Sequence, residues 1–199
     1  TSTAIIFSLN DRTSTRLIRI RERTTDLEKI ALTNSLSRKI SNNQLTIDEA
    51  KTELIHLRRA SLQYSFFMNF LAAFIACGFF LFMFGGTASD FWIACLAGGA
   101  AFLTFSFVQK YIQIKFFSEF VASAVVISIA AIFTKIGIAK NQDIITIASV
   151  MPLVPGILIT NAIRDLLAGE LLAGMSRGVE AALTAFAIGA GVAIVLLLL

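Results

Sequence analysis

The chain has 199 residues, of which 56% are hydrophobic and only 15% charged, and its mean hydropathy is +0.78. Soluble domains are about 45–50% apolar even with glycine counted, so the composition argues against an ordinary soluble domain and points to an integral membrane protein. The net charge of +4 is carried by residues 1–65, with eleven Lys/Arg against seven Asp/Glu, while the rest of the chain has six of each. A polar, basic N-terminal module favours the cytoplasmic side of a membrane. A solvated face near anionic lipid explains it better than nucleic-acid binding, because no basic platform interleaved with aromatics is present.

In chain order, "TSTAIIFSL" and "TRLIRI" are β-branched and apolar and flank the turn-rich "NDRTS". They predict a hairpin of Thr3–Leu9 with Thr15–Ile20. Two strands alone are marginal, and Thr1–Leu9 reads like the middle of a domain, so the expectation is that further residues precede it. Two helices follow. Thr25 and Glu28 have capping-box spacing, with Ile30, Leu36 and Ile40 near one face; "SNNQ" breaks the chain. Thr46 and Glu49 repeat the box, with Ile47, Ala50, Leu54 and Leu57 on the next apolar face. Residues 1–62 are thus expected to form a small cytoplasmic α+β module. The single histidine, His56, falls in a charged helix where exposure is the default.

Residues 63–199 are expected to form a domain of about five transmembrane helices, near Phe66–Phe84, Asp90–Val108, Phe117–Ile138, Ile144–Ile163 and Val179–Leu199. Each is close to the roughly 20 residues a span needs. Lys110 and Lys115 fall in the second connection, Arg164 and Arg177 in the fourth, and "GGTASD" between the first two spans has no base. Lys135 and Lys140 weaken that pattern, but the basic N-terminal segment sets the N-terminus inside and the C-terminus outside. If the fourth segment turned back as a re-entrant hairpin, the C-terminus would be inside. Cys77 and Cys95 sit in apolar runs without metal spacing and read as small buried hydrophobes. Small residues recur at packing spacing in Ala97–Gly98–Gly99–Ala100–Ala101, in Ala185 with Gly189, and in Ala187 with Gly191. They suit packing within the chain or against another subunit, and the sequence does not separate the two.

The fourth span is unusual. "MPLVPGILITNAIRDLLAGE", Met151–Glu170, places Pro152, Pro155 and Gly156 in mid-span. The prolines lack N–H groups, leaving the carbonyls of Ala148 and Met151 without helical donors, and they push Met151 and Val154 toward extended backbone. Gly156 permits whatever angle the break requires. Unsatisfied carbonyls in hydrocarbon cost several kcal/mol, so such a break must be buried in protein or line a wet cavity. A helix restarting after Gly156 would present free N–H groups at its positive end to a carboxylate. Discontinuous helices of this kind recur in transporters, although a plain proline kink is a serious competitor. Thr160, Asn161, Arg164 and Asp165 follow on one broad face at i,i+4 spacings. A small zwitterion would place its carboxylate on backbone N–H groups or Arg164 and its ammonium on Asp165; the same residues equally suit the end of a span. Asp165 and Glu119 are candidates for proton coupling, though Glu119 also fits an interfacial pair with Lys115. "GELLAG" is no phosphate loop, because no Lys-Ser/Thr follows. Catalytic Ser/His/Asp or Cys/His sets and metal-ligand spacings are absent from the chain, so neither an enzyme nor a cofactor is expected.

Four stretches carry a family resemblance: "TSTRLIRI", "LSRKISNNQLTIDEAKTEL", "FGGTASDFWIACLAG" and "LVPGILITNAIRDLLAGELLAGMSRGVEA". Together they resemble the N-terminal-half domain of the threonine/serine exporter family over nearly the whole chain. The resemblance implies an inner-membrane bacterial exporter of small amino acids driven by the proton motive force, with dicarboxylates such as succinate assigned to some relatives. It also implies a partner, since the full family architecture adds a second, smaller half, here a separate small membrane subunit; a homo-oligomer is a further option. An Arg with an Asp fits a zwitterion better than a dianion, because Asp165 would repel a second carboxylate. A non-transporting scaffold or sensor, working through the basic N-terminal module, is the alternative from a different class.

Overall fold

A computed structural model describes residues 4–9, 12–19, 26–59, 64–112, 114 and 116–198. The chain divides into two compact units, residues 1–65 and 66–199. In the first, β1 (Ala4–Leu9) pairs antiparallel with β2 (Arg12–Arg19), matching Ile5 to Ile18 and Ile6 to Leu17, with an irregularity after Ser8. The second strand therefore begins earlier than the expected Thr15. Asn10 and Asp11 of the expected turn, and Thr1, Thr3 and Ile20, lie outside the described residues.

Helix α1 (Leu27–Ser41) is capped by Asp26, whose carboxylate accepts the Lys29 N–H at 3.0 Å. The expected box partner Thr25 lies outside the described residues; Asp26 does the capping, and Glu28 with Arg38 and Lys39 complements the helix dipole at its two ends. The helix stops at Asn42, and Asn43 turns the chain with φ 53°. Helix α2 (Ile47–Arg59) starts on the expected box. Glu49 accepts from the Thr46 N–H at 2.9 Å and from its hydroxyl at 2.8 Å. These bonds favour the carboxylate and hold the Glu49 carboxyl below its ordinary value. Leu36 and Ala50 are buried, whereas Ile30, Ile40, Ile47 and Leu54 are exposed. The strands pair with each other and α1 packs on α2. The expected small α+β module is not supported, and the described fold is mainly α. His56 is exposed on α2.

The second unit is built on α3 (Phe66–Met83), α4 (Phe91–Tyr111), α5 (Phe117–Lys135), α6 (Gln142–Val150), α7 (Gly156–Leu167) and α8 (Leu171–Leu198). Among the described residues, four of its helical stretches are each long and apolar enough to cross a membrane, and the α6–α7 pair makes a fifth candidate if its two bent halves count as one span. The chain is a multi-pass membrane protein. The last helix begins at Leu171 rather than near Val179, so Arg177 lies on α8 and not in a connection. Lys110 closes the last turn of α4, and Lys115 lies outside the described residues.

Small residues decide how these helices approach. Ala94, Ala97 and Ala101 make α4 narrow, and it packs against α3, α5 and α6. A Cβ on Gly98 would fall 2.1 Å from Cys77 Sγ, so α3 and α4 touch almost backbone to side chain. Cys77 and Cys95 are both buried and free. Gly191 of α8 is pressed on Phe120 and Ser123 of α5. Ala187 on the same row is buried, while Ala185 is exposed and a Cβ on Gly189 would meet nothing within 4 Å. The Ala97–Ala101 and Ala187–Gly191 rows thus serve packing within the chain.

Candidate functional site

The broken segment is built from three pieces. Helix α6 ends at Val150, a 3-10 turn covers Met151–Leu153, and α7 restarts at Gly156 with its axis bent by 64°. Pro152 falls in the first turn of the 3-10 piece, where a missing N–H is least needed. Met151 accordingly stays in the right-handed helical region (φ −50°, ψ −41°), against the expectation of extended backbone. Val154 is extended (φ −66°, ψ 129°), as its position before Pro155 dictates. The Met151 carbonyl, expected to be an orphan, accepts the Val154 N–H at 3.1 Å, and the Val154 carbonyl accepts the Gly156 N–H at 2.8 Å. The chain thus closes part of its own hydrogen-bond deficit at the break.

Gly156 has ordinary helical backbone and open space around it: a Cβ there would meet nothing within 4 Å. The break therefore asks no left-handed angle of Gly156. Gly156→Ala should raise stability, by about 0.5 kcal/mol, since alanine loses less backbone entropy in a helix. Thermal unfolding of the purified variant checks the sign.

Helix α7 packs along the first turns of α8, with Ala162 its buried residue. A Cβ on Gly174 would lie 3.0 Å from the Ala162 carbonyl and closer still to Leu166, so only glycine lets the two helices meet there. The four polar residues expected on one face divide into two pairs. Thr160 and Arg164 are exposed; Asn161 and Asp165 are half-buried. The Thr160 hydroxyl donates back to the Gly156 carbonyl, leaving its oxygen free to accept. Arg164 and Asp165 do not pair with each other. Asp165 forms an ion pair with Arg177 of α8, whose Nη1 donates to Oδ2. Arg177 was not among the expected site residues. Its signal was the twelve-residue spacing from Asp165, which becomes proximity only when α7 and α8 fold back on each other.

Glu119 is not brought into this group. It sits half-buried in the first turn of α5 and accepts from the Ser118 hydroxyl at 2.9 Å, while α5 packs on α4, α6 and α8. Its expected partner Lys115 lies outside the described residues.

A second polar centre was overlooked in the sequence. Asp90, which opens α4, is fully buried. Its Oδ1 accepts the Lys140 N–H at 2.9 Å, and its Oδ2 accepts from the Thr87 hydroxyl at 3.0 Å and the Asn141 amide at 3.5 Å. Asn141 is the residue before α6, so one carboxylate ties the start of α4 to the start of α6. Deeper in the bundle, the Ser149 hydroxyl donates to the Ala94 carbonyl at 3.1 Å, fixing the other end of α6. The first half of the broken segment is held by two polar tethers; the second half rests on α8.

A polytopic helical bundle with a break inside an apolar segment, followed by a polar helix, is an architecture that recurs in membrane transporters. The whole chain, residues 1–199, matches the family described as "Putative threonine/serine exporter", and it belongs to that family. No curated protein and no solved structure matches it.

Proposed function

We propose that the protein is the large subunit of a bacterial inner-membrane exporter of small amino acids, threonine and serine foremost, driven by the proton motive force, with its N-terminal module (residues 1–62) cytoplasmic and its membrane domain at 63–199. The carrying observation is the break at Met151–Gly156 leading into α7, which presents Thr160 and Arg164 openly and Asn161 and Asp165 beside α8. Polar side chains exposed at membrane depth require a covering of protein or water. A smaller membrane subunit seated on α7 would supply that covering and close the site. The substrate carboxylate is assigned to Arg164 and the N–H groups at the start of α7, and Thr160 and Asn161 orient its polar groups. Asp165 takes part in proton coupling by exchanging Arg177 for the substrate ammonium or a proton; Glu119 is a second coupling candidate.

One observation favours the dicarboxylate reading as an alternative. Asp165 is paired with Arg177, which offsets its repulsion of a second carboxylate and leaves Arg164 as the exposed cation of α7.

The test is efflux from cells preloaded with a threonine-containing dipeptide, expressing the chain alone or with its small partner. Faster threonine efflux only with both is expected, and Pro155→Ala or Asp165→Asn should slow it without loss of protein from the membrane. Unchanged threonine efflux together with faster succinate efflux would transfer the assignment to dicarboxylates. No effect on either solute, with both proteins in the membrane, would leave the scaffold reading.

A further inference from the structure

A groove of the membrane domain lies away from the break, beside the end of α4 where α3 begins. It encloses about 760 Å³. Its walls change in character along α4. Leu103 and Phe107 give an apolar stretch, closed on the α3 side by Phe66, whose ring packs 5.5 Å from Phe102. Thr104 and Ser106, between Leu103 and Phe107 in the chain, add two hydroxyls to this stretch. In the final turn Lys110 places its Nζ 6.0 Å from the centre of the Tyr111 ring, and Tyr111 in turn packs against Phe107 at 4.6 Å. Both residues are exposed.

The apolar stretch ends in a cation and a phenol, as the acyl chain of a phospholipid ends in its polar headgroup. The last turn of a membrane-crossing helix sits at headgroup depth, where aromatic and basic residues anchor. We propose that the groove is a binding site for one anionic phospholipid. Its acyl chain lies along Leu103, Phe107 and Phe66, and its phosphate is held by the Lys110 ammonium and the Tyr111 hydroxyl. Charge complementarity selects the headgroup: a single lysine at the surface discriminates an anionic from a zwitterionic lipid by about fivefold. The site is independent of the transport reading, since it shares no residue with α7.

The experiment is native mass spectrometry of the full chain released from micelles containing equal amounts of phosphatidylglycerol and phosphatidylcholine with identical acyl chains. One phosphatidylglycerol should be retained about fivefold over phosphatidylcholine. Lys110→Gln should bring the ratio near one, Lys110→Arg should keep it, and Lys140→Gln should leave it unchanged. Equal retention by the native chain overturns the proposal. So does a preference that survives Lys110→Gln, or one that falls equally with Lys140→Gln, which would mean general charge attraction.

Discussion

Gly191→Ala should loosen α8 from α5 and lower the stability of the membrane domain by about 1–3 kcal/mol, the range for overpacking a filled interior. The new Cβ would stand 2.2 Å from Ser123 Oγ and 2.3 Å from the Phe120 carbonyl oxygen. Neither neighbour yields easily. The carbonyl belongs to a helix backbone, and the Ser123 hydroxyl already donates to it at 2.9 Å. Relief requires the helices to separate, which weakens the contacts Ile188 and Val192 make in the core with Val126 and Ile129. The companion substitution two residues away has the opposite sign. Gly189→Ala meets nothing within 4 Å and should stabilise α8 by up to about 1 kcal/mol through helix propensity alone. Thermal unfolding of both variants in one detergent decides the matter. Equal effects would show that α8 is not seated on α5 as described.

Asp90→Ala should be comparably damaging, at about 2–4 kcal/mol, because it strips a buried acceptor from three donors at once. The damage should be local. Lys140 N–H and the Asn141 amide lose their partner, and with them the start of α6 loses its attachment to α4. Hydrogen exchange should quicken at Lys140–Ile145 while the middle of α5 keeps its protection. Asp90→Asn should be milder. It retains an acceptor for Lys140 N–H, and its amide can donate to the Thr87 hydroxyl, but it sets two amides against each other at Asn141. Uniform exchange in Asp90→Ala would mean that the carboxylate is not the tether of α6.

These two residues bear on function through the broken segment. Asp90 and Ser149 keep α6 in place, and Gly191 keeps α8 in place. Helix α7 is carried by α8 and linked to it by the Asp165–Arg177 pair. The proposed substrate-binding residues thus stand on the half of the segment that has the fewest internal supports.

Much of this was legible in the residues themselves. Composition and the length of the apolar runs identified the membrane class and the approximate places of the spans, although α8 starts eight residues before its expected Val179. Pro152 and Pro155 located the break, since a missing N–H acts on the local backbone whatever surrounds it. The Thr46–Glu49 cap was equally local. What the tertiary structure decided were relations between distant residues. Asp165 finds Arg177 only because α7 folds back on α8. Asp90 becomes a buried tether only because Lys140 and Asn141 meet it from fifty residues away. Which row of small residues faces inward, Gly191 or Gly189, depends on the rotation of α8 against α5. Spacing along one helix shows which residues share a face, but the identity of what that face meets is a property of the packed fold.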